Sequence, residues 1–154
     1  MAANETPAAL DHHLFGPTPL SLTIVEAQNL PIRDVASKTD PFVVVEAAGM
    51  RAQTEVVRGT TEPVFDHMCT LRATFGPGVR EELRVLCWHE DVYEDVLLGV
   101  GALDLSSVLR ERETVETWLE LLDESGLRHT GADVLVRVAN GKAPPRARLC
   151  ASEA

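Results

Sequence analysis

Leu20 to Phe42 reads LSLTIVEAQNLPIRDVASKTDPF, a stretch that joins one strand to an acidic loop and then to a second strand. Leu22, Ile24 and Glu26 alternate with Thr23 and Val25, the period-two pattern of a strand with one buried face. Asn29-Leu30-Pro31 ends that run, because Asn tolerates turn conformations and Pro cannot extend a hydrogen-bonded ladder. Asp34 and Asp40 stand six positions apart in the loop that follows, and Pro41-Phe42-Val43 opens the next strand.

Outward from this stretch, short runs rich in Val, Leu, Ile and Thr recur between turn signals with little helical periodicity, the pattern of an all-β sandwich. Eight strands are predicted: Leu20 to Glu26, Phe42 to Ala47, Arg51 to Val57, Met68 to Phe75, Glu82 to Trp88, Leu97 to Leu103, Thr117 to Leu121 and Asp133 to Val138. Gly49 breaks the second and third as a hairpin, Gly76-Pro77-Gly78 marks a sharper turn, and Gly126 and Gly131 bracket the approach to the last strand. Leu105 to Glu113 is the one helical candidate, with Asp104 or Ser106 as its N-cap. Residues 1–18 and 140–154 read as flexible tails around a single domain of residues 19–139.

A chain of 154 residues with 45% apolar content suits one packed core. Its 24 acidic and 14 basic residues leave a net charge of -10, which repels nucleic acid, and also anionic lipid unless a cation intervenes. Cys69, Cys87 and Cys150 lack metal-site spacing and imply a reducing compartment without disulfides. The opening MAANETPAALDHHLFGPTP has neither the charged start nor the apolar run of a signal peptide, so the expected location is cytoplasmic. No enzyme activity or small-molecule substrate is expected. No serine sits in a Gly-x-Ser-x-Gly elbow, Cys87 has no neighbouring base, and Gly99-Val100-Gly101 lies within a strand rather than a phosphate loop. His12-His13 carry no role, and Trp88 and Trp118 are expected in the core.

The quoted stretch resembles the first calcium-binding loop of a C2 domain. The resemblance extends over about residues 19 to 139. Arg51 to Asp66, RAQTEVVRGTTEPVFD, is similar to the family segment ending in Asn-Pro-Val-aromatic-Asn, with Glu62 in place of the first Asn. Leu83 to Asp91, LRVLCWHED, resembles the strand that opens the family's third loop, and Leu98-Gly99 the strand after it. The resemblance implies an eight-stranded antiparallel sandwich with Greek-key connections. It favours the circularly permuted type II order, because the signature strand comes nearly first and a strand follows Trp118-Leu119.

It also implies a site. Family members hold calcium with two aspartates of the first loop and three of the third, which here correspond to Asp34, Asp40, Asp91 and, one position early, Asp95. His89 replaces the first third-loop aspartate and Val96 stands where the last would be, so weakened affinity for calcium is expected. Val35, Val92 and Tyr93 are the candidate membrane-contacting tips, Tyr93 suiting the headgroup level. The lysine-rich strand by which some members grip phosphoinositides is absent: Arg51 and Arg58 flank Glu55 there. The implied function is phospholipid binding peripheral to membranes, in trafficking or signalling. The alternative is a calcium-independent protein-interaction domain on the same scaffold.

Overall fold

The computed structural model describes residues 16–33 and 38–141. Among these residues eight strands and one short helix follow in order: β1 Pro17–Gln28, β2 Pro41–Ala47, β3 Met50–Gln53, β4 Val64–Thr74, β5 Glu82–His89, β6 Val96–Asp104, α1 Ser106–Arg110, β7 Val115–Leu122 and β8 His129–Asn140. Apart from residues 16–18 and 140–141, the expected tails lie outside the described residues, as do His12, His13 and Cys150.

All pairings are antiparallel, in the order β3-β2-β5-β6-β7-β8-β1-β4. β6 and β7 meet at a single pair, Val100 with Leu122, so the order divides into two four-stranded leaves. The leaves enclose one core. β1 gives it Leu20, Leu22 and Ile24, β2 Val43 and Val45, β5 Leu83, Val85 and Cys87, and β8 Val134, Val136 and Val138. Each fully buried Leu, Ile or Val contributes roughly 1.5–3 kcal/mol relative to an exposed one. β8 inserts between β7 and β1, giving the type II order.

Where the structure departs from simple alternation, a local cause is visible. Val25 is the extra residue of a bulge: Ile24 pairs with Val136 and Glu26 with Leu135. Beyond it Ala27, rather than Glu26, faces the core, which spares a carboxylate from burial. β3 ends at Gln53, short of the expected Val57, because the buried Thr54 takes over. Its Oγ1 accepts the Val43 N–H at 3.0 Å and donates to the Glu55 carbonyl. α1 covers only Ser106–Arg110, and Arg112 at φ 56° turns the chain away. The N-cap position is Leu105, not Asp104 or Ser106, although Asp104 Oδ1 accepts the Ser106 N–H at 3.0 Å.

The tryptophan expectation is corrected. The inward row of β7 includes Leu119 and Leu121, which leaves Trp118 on the outer surface at 41% exposure. Trp88 is half-buried, one position out of step with the inward Cys87 and His89, and pairs with Phe42 on β2.

Candidate functional site

Antiparallel order brings four connections to one end of the sandwich: loop 1 between β1 and β2, loop 2 between β3 and β4, loop 3 between β5 and β6, and the β7–β8 turn. Loop 1 starts at Asn29, whose φ of 60° is a left-handed conformation that Asn adopts more readily than most residues. Thr39 anchors its other end. Fully buried, its Oγ1 donates to the Pro31 carbonyl and accepts the Arg33 N–H at 3.2 Å. Loop 2 is sewn to this frame by Leu30 N–H to Thr61 O at 3.1 Å and Thr60 N–H to Thr39 O at 2.8 Å.

Asp40 is the junction of all three loops. Its N–H donates to His89 Nδ1 at 3.0 Å, and its carbonyl accepts the Glu90 N–H at 2.9 Å. Its carboxylate accepts the Gly59 N–H on Oδ1 at 2.8 Å, while Oδ2 lies 3.7 Å from Arg58 Nη1. Arg58 also reaches loop 3, where Nη2 donates to Glu90 Oε1 at 2.6 Å. The hydrogen bond with Glu90, the charge of Glu90 and the charge of Asp40 together raise the Arg58 guanidinium above its ordinary range.

His89 extends the inward row of Leu83, Val85 and Cys87 and is only 5% exposed. A backbone amide can only donate, so the Nδ1 that meets Asp40 acts as an acceptor. That nitrogen is occupied by the fold.

Loop 3 brings Asp91 and Asp95 together, the Asp91 N–H donating to Asp95 Oδ1 at 3.4 Å. Asp34 and Val35 lie outside the described residues. Among the described residues no three His, Cys, Asp or Glu side chains converge on a position that could hold a metal ion. Calcium takes six to eight oxygens. Among the described residues both Asp40 oxygens already face loop 2, one accepting the Gly59 N–H and the other 3.7 Å from Arg58, so a bound ion would have to compete with these contacts.

The apolar tips are exposed. Val92 is 88% and Tyr93 94% accessible, side by side in loop 3, and Ile32 in loop 1 is 61% accessible. Sequence reasoning missed Ile32, although its place directly after the Pro31 turn, outside any strand, is a local signal. It missed the bridging role of Arg58 because Glu90 lies 32 residues away.

The C2 domain family model matches residues 18–121. The chain belongs to the C2 domain family. The C2 domain is 32% identical over 108 residues to Synaptotagmin-5 of Arabidopsis thaliana, an alignment that covers 69% of this chain and 19% of that protein. It thus spans about a fifth of that relative's length. Among solved structures it superposes on the C2A domain of plant Extended Synaptotagmin 1 with a TM-score of 0.67 at 17% identity, covering 84% of this chain and 98% of that one. It also superposes on the calcium-bound C2A and C2B domains of Extended-Synaptotagmin 2 with a TM-score of 0.69 at 24% identity, covering 81% and 46%. At these identities the structural likeness establishes the fold. No helix among the described residues is long and apolar enough to cross a membrane.

Proposed function

We propose that this C2 domain is a peripheral membrane-binding module, serving trafficking or signalling, whose loop tips enter the lipid interface by apolar contact. The observation that carries this reading is the outward display of Ile32, Val92 and Tyr93 on two loops at one end of the sandwich. Folding leaves these side chains in water, and burial of such a side chain is worth roughly 1.5–3 kcal/mol when complete. Three partial insertions make a reversible contact rather than an anchor. The acids Asp34, Asp40, Glu55, Glu62, Glu90, Asp91, Glu94 and Asp95 outnumber Arg33, Lys38 and Arg58 in these loops. Apolar insertion therefore outweighs attraction to anionic headgroups, and zwitterionic surfaces are preferred. The domain carries no catalysis of its own in this reading.

Flotation of the full chain with phosphatidylcholine vesicles in chelator tests it. Binding to these vesicles, weakened when phosphatidylserine is added, is expected. Failure to float with either lipid refutes the reading.

One observation favours a second reading, docking of a protein. A groove of about 710 Å³ follows the β6–β7 seam, floored by Val100 and Ala102 and flanked by Trp118 and Leu127. Leu127 is 84% exposed. An interaction surface of this kind needs neither lipid nor ion.

A further inference from the structure

We propose that Arg58 is a built-in cation that holds the loop end together where related domains use calcium, and that its charge keeps the ion out. This rests on the reading that the loop end is the domain's binding surface. A divalent ion gathers carboxylates from separate loops and cancels their repulsion. Arg58 does the same from loop 2. One guanidinium nitrogen lies 3.7 Å from Asp40 at the end of loop 1, and the other bonds Glu90 of loop 3 at 2.6 Å.

The neighbouring Gly59 N–H takes the remaining Asp40 oxygen at 2.8 Å, so loop 2 engages the whole carboxylate. The Asp40 main chain is committed as well, to His89 on one side and Glu90 on the other. An ion that recruited Asp40 would have to displace two loop 2 contacts and sit beside a positive charge. A divalent ion about 6 Å from a monovalent one in a water-like dielectric loses about tenfold in affinity from that repulsion.

The test is calorimetric titration of calcium into the chelator-stripped full chain, as wild type, Arg58→Gln and Arg58→Lys. Arg58→Gln is expected to bind calcium about tenfold more tightly than wild type, with Arg58→Lys close to wild type. Equal or weaker binding by Arg58→Gln overturns the proposal, and so does an absence of heat in both proteins up to about 10 mM. Hydrogen exchange provides a second readout, without metal. The Gly59 and Glu90 amides are expected to exchange faster in Arg58→Gln in chelator, and unchanged protection of both overturns the clamp. Wild-type vesicle flotation is scored separately. Its failure removes the membrane reading while the calcium comparison still decides the role of Arg58.

Discussion

Replacing Gly99 by alanine puts a Cβ 2.7 Å from the Leu121 Cβ and 3.3 Å from the Leu122 carbonyl oxygen. Carbon atoms pack best at about 3.5–4.0 Å, so roughly 1 Å of movement is needed. Neither obstacle is the free end of a flexible side chain. Leu121 is fully buried, and Leu122 forms the single pair that joins the two leaves. Overpacking of a fixed site costs about 1–3 kcal/mol, and the upper end applies here. Reduced freedom of the unfolded chain returns about 0.4–1 kcal/mol, leaving a net loss of about 2 kcal/mol. Gly101 is the internal control. Its added Cβ lies 3.2 Å from the Leu119 Cβ and 3.4 Å from the Glu120 carbonyl oxygen, so a few tenths of an ångström suffice. Gly101→Ala is expected within about 0.5 kcal/mol of wild type, the two small terms nearly cancelling. Urea unfolding at constant m-value measures both variants. Gly99→Ala stability within about 0.5 kcal/mol of wild type, or a larger loss in Gly101→Ala, refutes the reasoning about close approach at the seam.

Three other outcomes are expected. Val92→Ser with Tyr93→Ser should reduce flotation with phosphatidylcholine vesicles about tenfold or more while leaving the melting temperature unchanged, since neither side chain packs in the fold; a drop in melting temperature would contradict their exposure. Burial pushes the Cys87 thiol up to about 12, so a thiol reagent at pH 8 should leave Cys87 unmodified in the folded protein and label it on unfolding, as peptide mapping would show. Asp104 is held below the ordinary aspartate range by hydrogen bonds from Ser106, and Asp123 by that from Ser125. A depressed carboxylate favours the folded state fully above its unfolded pKa, and that contribution is lost as pH falls through the lower folded value. Chemical unfolding below about pH 4 should therefore show a shallower pH dependence in Asp104→Asn with Asp123→Asn than in wild type.

Leu83, Val85 and Cys87 show how far alternation alone reaches, because each occupies the inward row that its spacing predicts. Turn chemistry supplied the breaks with equal directness, Gly49 at φ 81° and Asn29 at φ 60° adopting conformations that favour those residue types. What stayed hidden is what another segment decides. The Val25 bulge follows from registers shared with β4 and β8, and the outward Trp118 from the phase of β7 against the core. The loop end was legible as a list of acids, but not as a network. Asp40 meets Gly59 across 19 residues and His89 across 49, and no local pattern encodes those contacts. An aspartate to which the family resemblance assigned a ligand role thus carries structural hydrogen bonds.

The placement of β8 has a kinetic consequence. β1 lies between β4 and β8, and Ser21 donates to the carbonyl of Gly141, 120 residues further along the chain. At synthesis rates of about 5–20 residues per second, the first strand is made roughly 6–24 s before that partner. Once β4 has been made, β1 has it on one side and an open edge on the other until β8 follows. The nascent chain must be shielded or stay loosely collapsed until β8 closes the leaf, so the sandwich is completed only after all eight strands have been made.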